Sequence, residues 1–301
     1  MDINFEYYKI FYFVAKYGNI TKAAAALGSS QPNVTRVMKL LEAQLHCRLF
    51  VRGARGITLT GEGERLYSHV EIAYRHLWNA EEELCGQASL SRGIVEIGAT
   101  ENAIHLFLLP LLHDFKKKYP EVRIKIHNQT TPKVVKQLIS GKLDFAVATM
   151  PFDAPANISC VEVMTFEEIL VGGLQFQNLC KEPMKPEDMK QYSVVGLGRG
   201  SATYQLYKDF FVGQGIDFDP DMEVATSDLM LPLIENNFGI GFVPEKLALP
   251  LISEKKLVKI PFSCALPKRS IQILSDKERG SSLAADTCCK FLKTKKNSHP
   301  E

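Results

Sequence analysis

The sequence lacks the features that mark membrane and secreted proteins. It has no run of about 18 apolar residues, which a transmembrane helix requires. Its first ten residues, MDINFEYYKI, contain neither the basic segment nor the long apolar core of a signal peptide. We therefore expect a cytoplasmic chain with no membrane partner. The 46% hydrophobic content of its 301 residues is ample for packed cores.

Motifs of catalysis and of metal binding are also missing. The chain contains no G-x-S-x-G, P-loop or H-E-x-x-H motif, and its seven histidines show no metal-ligand spacing. A glycine-rich stretch at residues 196–201, GLGRGS, lacks the Lys-Ser/Thr ending of a phosphate loop. The sequence thus predicts no enzyme, no cofactor and no metal site.

Cysteine is present, but its spacing shows no pattern of pairing. The count of seven is odd and there is no C-x-x-C pair, which predicts free thiols rather than a disulfide framework. Cys288 and Cys289 are adjacent in a predicted C-terminal helix. Since a buried cysteine usually acts as a small hydrophobic side chain, inert thiols are favoured, and redox sensing stays an open alternative.

Positive charge is concentrated at one end of the chain, although the overall net charge is only +2. Residues 1–60 hold eight Lys/Arg against three Asp/Glu, whereas residues 61–88 hold two against six. A cluster of cations on one segment suits the binding of nucleic-acid phosphates.

The stretch at residues 20–45, ITKAAAALGSSQPNVTRVMKLLEAQL, coincides with this basic segment and predicts two helices joined by a tight turn. Thr21 is the predicted cap of the first helix, and Gly28 can take the positive φ that ends it. Ser30 can cap the second helix, and Pro32 falls in its first turn, where a missing N–H costs nothing.

The second of these helices has two distinct faces. Its apolar stripe comprises Val34, Val37, Met38, Leu41 and Leu45, and its opposite face carries Gln31, Thr35, Arg36 and Lys39. Any helical bundle can contain such a pair, but a helix–turn–helix of this kind is also built to enter a DNA major groove. Residues 48–60, with Arg52 and Arg55, then predict a two-stranded wing with cations at its tip.

A specific family resemblance follows from the order and spacing of a longer set of residues. These are Phe13-Val14-Ala15, Ala23-Ala24, Leu27, Ser30-Gln31-Pro32, Val34, Arg36, Leu41-Glu42, Leu45, Leu49-Phe50, Arg52, Arg55, Leu59-Thr60 and Gly63. On them the chain resembles the LysR-type transcriptional regulators, and the resemblance extends over its whole length. His46, Glu62 and Thr35 depart from the family's usual glycine, alanine and serine. The resemblance implies that Ser30, Gln31, Pro32, Thr35, Arg36, Lys39, Arg52 and Arg55 bind double-stranded DNA.

A long linker helix is predicted from Thr60 to about residue 85. Leu66, Val70, Ala73, Leu77, Ala80 and Leu84 recur at spacings of four and three, which is a heptad seam. The same pattern also fits a helix that packs on its own domain. The resemblance favours a homodimer through this helix, with Leu66, Val70, Ala73, Leu77 and Leu84 at the interface, and dimers that pair into tetramers.

The remaining residues predict an α/β domain of two lobes. Strands and helices alternate from residue 94 to residue 147, which is typical of a parallel sheet, and a second such unit follows. The expected fold is an N-terminal winged helix–turn–helix at residues 1–59 and a linker helix and hinge at 60–88. A two-lobed effector domain that resembles periplasmic solute-binding proteins follows at 89–301. Lobe I is expected at about 92–161 and 267–292, and lobe II at about 162–266.

Polar residues at predicted helix starts in both lobes indicate a ligand cleft. They are Thr100, Asn102, Thr130, Thr131, Arg199, Ser201, Thr203 and Thr226. Hydroxyl groups and free amides at helix starts suit a small anion, with Arg199 as the candidate cation. Glu101 would repel a purely anionic effector, so the expected effector is a small polar metabolite, either a carboxylate or an amino acid.

Three functions compete at this point. The first is a transcriptional regulator that is switched by an effector and contacts RNA polymerase. The second is a solute-binding or transport-associated protein that uses the two-lobed domain. The third is an enzyme that uses the cleft, although no nucleophile–base or metal set supports it.

Overall fold

The computed structural model describes residues 3–53, 56–84 and 93–295, apart from the side chains of residues 52, 75, 79 and 82–84. The chain forms two compact units, Met1–Ala88 and Ser89–Glu301. The predicted linker helix therefore belongs to the first unit. No helix among the described residues is long and apolar enough to span a membrane.

The first unit has three helices, a two-stranded wing and one long helix. They are α1 (Phe5–Tyr17), α2 (Ile20–Ala26), α3 (Gln31–Leu45), β1 (Phe50–Gly53), β2 (Gly56–Leu59) and α4 (Gly61–Leu84). The strands β1 and β2 are antiparallel. Their core is centred on the fully buried side chains of Phe11, Val14, Val34 and Leu41.

The caps of the helix–turn–helix agree with the sequence except at one position. The Ser30 Oγ accepts a hydrogen bond from the Asn33 N–H, and Gly28 has a φ of +61°, so both predictions are confirmed. The cap of α2, however, is Asn19, whose Oδ1 accepts from the Lys22 N–H at 3.0 Å. The prediction of Thr21 was wrong because the helix starts one residue before it.

The end of α3 explains the departure at His46. His46 has a φ of +53°, which is the left-handed conformation that glycine adopts most readily. Near the start of α4, Gly63 lies against the residue that precedes the wing, since a Cβ there would lie 2.1 Å from the Leu49 carbonyl oxygen. The wing is thereby packed against the first turns of α4.

The residues of the predicted heptad seam on α4 fall into two groups, one that packs against the core of the first unit and one that is exposed. Val70 is buried in the core of the first unit, and Leu66 packs against the same core. The core of the first unit therefore covers Val70 and part of Leu66, which leaves them less surface for a second chain, and their assignment to a dimer interface stays a prediction. Ala73 and Leu77 are exposed, as is Trp78. The side chain of Leu84 lies outside the described ones.

A stack of tyrosine rings joins α1 to α4. The Tyr12 ring stacks on the Tyr74 ring, with their centroids 4.5 Å apart, and on the Tyr67 ring at 5.9 Å. Aromatic pairs in this distance range contribute stability beyond the area that they bury. The two helices are thus attached along two turns of α4.

The second unit begins with a lobe whose helices pack on a five-stranded sheet. Its first elements are β3 (Gly93–Ala99), α5 (Glu101–Ala103), a π-helical segment (Ile104–Leu108), α6 (Leu109–Lys118), β4 (Val122–Asn128), α7 (Thr131–Ile139), β5 (Phe145–Met150) and β6 (Ile158–Phe166). The chain continues through lobe II and returns as β12 (Arg269–Asp276) and α11 (Leu283–Thr294). The strand order is β4-β3-β5-β12-β6.

Lobe II carries two smaller sheets. Its elements are β7 (Glu168–Gly173), two 3₁₀ segments (Leu174–Cys180 and Pro186–Gln191), β8 (Val195–Leu197), α8 (Ala202–Val212), β9 (Met222–Val224), a 3₁₀ turn (Ser227–Leu229), α9 (Met230–Glu235), β10 (Ile240–Pro244), α10 (Glu245–Ser253) and β11 (Leu257–Ile260). Strands β10, β7 and β11 form an antiparallel sheet, and β8 pairs with β9 in parallel.

Two expectations for the lobes need correction. The large sheet is mixed rather than parallel, because β12 runs antiparallel to both β5 and β6. Strand β6 pairs with β12 as far as Phe166, so lobe I extends about five residues beyond the predicted limit of 161. Both differences arise because the chain leaves lobe I through β6 and returns to it through β12, and these two strands lie side by side.

Candidate functional site

The first candidate site is the exposed N-terminal half of α3. One shallow surface depression is lined by Gln31, Pro32, Thr35, Arg36 and Lys39. All are exposed except Thr35, which is half-buried. The apolar stripe that begins at Val34 holds the opposite side of the helix in the core, so this polar side faces outward.

Two side chains outside the predicted DNA-binding set, Asn33 and Glu42, organise this surface. Asn33 accepts a hydrogen bond from the Arg36 Nη2 at 3.1 Å and donates one from its Nδ2 to the Ser29 Oγ at 3.1 Å. Glu42 Oε1 accepts from the backbone N–H groups of Leu49 and Phe50, at 2.7 and 3.2 Å. Asn33 thus orients a basic side chain, and Glu42 fixes the wing to α3.

The wing itself is described only in part. Arg52 pairs with Ile57 in the β1–β2 ladder, and its side chain is not among the described ones. Arg55 lies outside the described residues. The Ile57 N–H donates to the Gly18 carbonyl oxygen at 3.0 Å, which attaches β2 to the end of α1.

The second candidate site is a cleft between the two lobes of the second unit. All of the predicted effector residues except Arg199 line it, namely Thr100, Asn102, Thr130, Thr131, Ser201, Thr203 and Thr226. The cleft is partly open to solvent. On the side of lobe I the cleft lies where β3, β4 and β5 end, the edge at which open α/β sheets bind ligands.

Several helical segments begin at this cleft and point N–H groups toward it. Thr100, Thr130 and Thr226 precede helical turns, and none of the three side chains caps its turn. The first N–H groups of these turns therefore have no side-chain acceptor, which makes them donors for an anionic group. The Thr130 Oγ1 is buried and has no hydrogen-bond partner among the described residues.

Arg199 does not belong to the cleft. Its guanidinium contacts Asp219 at 3.0 Å and Glu223 at 3.8 Å on the exposed surface of lobe II. The prediction that Arg199 supplies the cation of the effector site is not supported by this placement. Within the described part of the chain, Glu101 is the one ionisable residue of the cleft lining. Its carboxylate accepts from the Asn128 Nδ2 and contacts the His105 Nε2 at 2.8 Å.

A buried ion pair lies beneath the cleft and joins the lobes. Arg269 of lobe I contacts the Glu168 Oε2 of lobe II at 2.8 Å, and both side chains are almost fully buried. Arg269 also donates to the Thr203 Oγ1 at 3.0 Å and to the Met150 carbonyl oxygen at 3.1 Å. Ser227 adds a second contact between the lobes by donating to the Asn102 Oδ1 at 3.1 Å.

Tyr207 completes the network around this ion pair. Its hydroxyl donates to the Glu168 Oε2 at 2.6 Å. Burial and the neighbouring Glu168 carboxylate raise the pKa of Tyr207 well above its ordinary value, so the hydroxyl keeps its proton and stays a donor.

The adjacent cysteines lie away from both sites. Cys288 and Cys289 are free thiols buried in the core of lobe I. Burial, followed by the neighbouring Cys289 and Asp144, raises the pKa of Cys288 to about 12. A protonated thiol is a poor nucleophile, so this environment is typical of an inert cysteine.

Comparison with known families decides the identity of both units. A family model described as "Bacterial regulatory helix-turn-helix protein, lysR family" matches residues 5–64. A second, described as "LysR substrate binding domain", matches residues 88–296. The chain belongs to the LysR family of transcriptional regulators.

Individual relatives of this LysR-type regulator are similar along most of its length. The transcriptional regulator YbhD of Escherichia coli K12 is 24% identical over 278 residues, which cover 92% of this chain and 87% of YbhD. YofA of Bacillus subtilis is 27% identical over 237 residues, which cover 79% and 80% of the two chains.

Solved structures show the same fold. PA0477 of Pseudomonas aeruginosa matches with a TM-score of 0.70 and 19% identity, covering 97% of this chain and 96% of that one. Full-length CbnR in complex with its target DNA matches with a TM-score of 0.68 and 20% identity, covering 97% and 99%.

The family assignment selects among the three competing functions. LysR-type regulators are DNA-binding transcriptional regulators that respond to small-molecule effectors and form oligomers, and they are not enzymes. The alternative of a transport-associated solute-binding protein leaves the helix–turn–helix family match unexplained. The regulatory function is therefore the one that accounts for both units.

We expect the buried ion pair to dominate the stability of the second unit. Arg269→Met leaves the Glu168 carboxylate buried without its cation, which should cost about 3–5 kcal/mol of the free energy of unfolding. Urea unfolding of the full chain, followed by circular dichroism, measures this loss.

Arg199→Met serves as the matched control, because the same side chain is removed from an exposed pair. It should leave the unfolding midpoint unchanged. Equal midpoints for Arg269→Met and the native chain would contradict a structural role for the buried pair.

Proposed function

We propose that this regulator binds operator DNA in the cytoplasm through α3 and the wing. The observation that carries the proposal is the exposed depression formed by Gln31, Pro32, Thr35, Arg36 and Lys39. Gln31 and Thr35 present an amide and a hydroxyl from the first turns of α3, which is the part of a recognition helix that reaches base edges. We assign them to base readout.

The remaining predicted residues position the protein on the DNA backbone. Lys39 is exposed one turn beyond Thr35, and Arg36 is exposed and held by Asn33. Basic side chains of this kind neutralise phosphates and add affinity without sequence preference. Ser30 at the helix cap, together with Arg52 and Arg55 of the wing, completes the proposed DNA-binding set.

Replacement of Gln31 should change sequence preference, because a bidentate amide discriminates between bases by about 1–3 kcal/mol. Gln31→Ala is therefore expected to relax base choice in binding measurements on a panel of operator variants. Lys39→Ala should weaken all sequences alike and reduce the slope of log K against log salt by about one.

Gln44→Ala is the control for this experiment, since Gln44 is exposed at the other end of the same helix. It should change neither preference nor slope. An intact base preference in Gln31→Ala would show that α3 reads DNA by other side chains.

We further propose that α4 forms a homodimer through its second half. Leu77 and Trp78 are large apolar side chains that are 47% and 49% exposed, next to Ala73. The heptad spacing continues through Leu84, so a second copy of the helix can cover this strip. Pairing of dimers into tetramers through the second units is the arrangement that the family resemblance favours.

A charge in this strip should prevent assembly. Leu77→Glu buries a carboxylate in the proposed helix pair, so dimerisation and DNA affinity should fall together, by at least tenfold in the dimer dissociation constant. Sedimentation or light scattering reports the first and gel retardation the second. His69→Glu adds the same charge at an exposed position outside the seam and should assemble normally. A native oligomer in Leu77→Glu would move the interface elsewhere.

We propose that the effector is a small carboxylate or an amino acid bound in the interlobe cleft. The uncapped helix starts at Thr100, Thr130 and Thr226 supply N–H donors for a carboxylate. Glu101 can accept from an ammonium group. Binding shifts the lobe arrangement only as far as the effector prefers one arrangement, and the shift is passed on to DNA geometry and to RNA polymerase.

Thr130→Val tests this site without disturbing the fold, because the Thr130 Oγ1 has no hydrogen bond to lose to any residue that the structure describes. It should weaken the tightest ligand found in a panel of organic acids and amino acids by about tenfold, in calorimetry on the full chain. Arg199→Ala should leave that affinity unchanged. The reverse pattern would place the effector at the surface of lobe II.

A further inference from the structure

A second cavity lies directly beneath the cleft, and we call it the lower pocket. It is small and more enclosed than the cleft. Asn102, Leu197, Thr203 and Ser227 line both cavities. The two spaces are therefore neighbours, and the hydrogen bond from Ser227 to Asn102 lies in the wall that they share.

The chemistry of the lower pocket differs from that of the cleft. The cleft is lined largely by hydroxyl and amide side chains, whereas the lower pocket is lined largely by Leu197, Met230, Leu231, Phe242, Val243 and Leu247. Met230, Phe242 and Val243 belong to the buried cores of lobe II. A group that enters the lower pocket thus leaves water for an apolar surface.

Both lobes contribute to the walls of the lower pocket. Asn102 comes from the first helical turn of lobe I, and Leu231 from α9 of lobe II. Leu247 of α10 lies in the pocket wall and also packs against the core of lobe I. A substituent in this pocket would therefore contact the structures whose relative position the effector is proposed to control.

Glu168 is the ionisable member of the pocket wall, and its charge is already balanced. Its Oε2 accepts from the Tyr207 hydroxyl at 2.6 Å and from the Arg269 Nη1 at 2.8 Å. A ligand's ammonium group beside the Glu168–Arg269 ion pair would be an unbalanced positive charge in a buried site, which costs free energy of binding. An added carboxylate would be repelled by Glu168. The pocket therefore favours an uncharged, apolar group.

We infer that the effector is amphipathic, with its polar head in the cleft and a short aliphatic or aryl substituent in the lower pocket. This inference rests on the proposed effector site and narrows its ligand class. Each methylene that the lower pocket buries should raise affinity about fourfold. A compound that carries the head alone is then a weak ligand.

Two series of probes with matched substituents test the inference by calorimetry on the full-length protein. One series is glycine, L-alanine, L-valine, L-leucine and L-phenylalanine. The other is acetate, propanoate, 3-methylbutanoate, 4-methylpentanoate and 3-phenylpropanoate, which have the same substituents without the amino group. Affinity should rise with the size of the substituent in the series whose head the cleft accepts.

The outcomes of this experiment distinguish a failure of the amphipathic-ligand inference from a failure of the proposed effector site. Measurable binding that is the same for small and large substituents overturns the amphipathic ligand and leaves the effector site standing. Binding by no member of either series overturns both. L-threonine provides a further comparison, because it is isosteric with L-valine. Tighter binding of threonine would show that the pocket seeks a hydrogen-bond donor, contrary to the inference.

Matched variants connect the size preference to this pocket. Leu231→Asn should lower the affinity of the best large-substituent probe at least tenfold, with less effect on the smallest member of its series. Leu229→Asn makes the same change two residues earlier at a side chain that is 49% exposed, and should have no effect. Leu231→Ala, which removes bulk without adding polarity, should shift the preference toward larger substituents. An unchanged preference in both Leu231 variants would overturn the inference.

Discussion

The buried guanidinium of Arg269 is the point on which the second unit depends. An arginine loses its hydration when it is buried, and it is tolerated there only when its donors are satisfied. Here the Nε, Nη1 and Nη2 donate to Met150, Glu168 and Thr203, which lie on both lobes. The need to satisfy one cation therefore fixes the floor of the cleft and holds a cleft-lining hydroxyl in place.

Arg269 is engaged in the buried ion pair, and no cation is present among the described residues that line the cleft. Any negative charge on a ligand must then be met by partial charges on the uncapped helix starts and by hydroxyl groups. Such donors are directional and weaker than a guanidinium. Selectivity in this cleft is therefore expected to come from ligand shape and from the separation of polar and apolar parts, more than from net charge.

Local features of the fold were predictable from sequence, because they depend on neighbours along the chain. The Ser30 cap and the positive φ of Gly28 follow from residues within one turn. The cleft threonines were found because each starts a predicted helix after a strand. This arrangement places them at one edge of the sheet.

The failures concern partners that are distant in sequence. Arg199 sits among cleft residues in the chain, yet Asp219, twenty residues later, holds it outside. The heptad spacing of α4 shows that one face is apolar, but not that the protein's own core buries Val70 and covers part of Leu66. Glu42 was recognised only as part of a family pattern, since its hydrogen bonds reach seven and eight residues along the chain.

The tyrosine stack between α1 and α4 has a mechanical consequence. Tyr12 is attached to Tyr67 and Tyr74, and α1 shares its core with α3, so the exposed polar face of α3 is rigidly connected to the long helix. Such a body works as a lever. In the proposed dimer, a pivot of the two α4 helices against each other would change the span between the two α3 helices while the contacts inside each first unit are kept. Effector binding would then change the distance between the two contact sites along the DNA, without loosening the packing inside either unit.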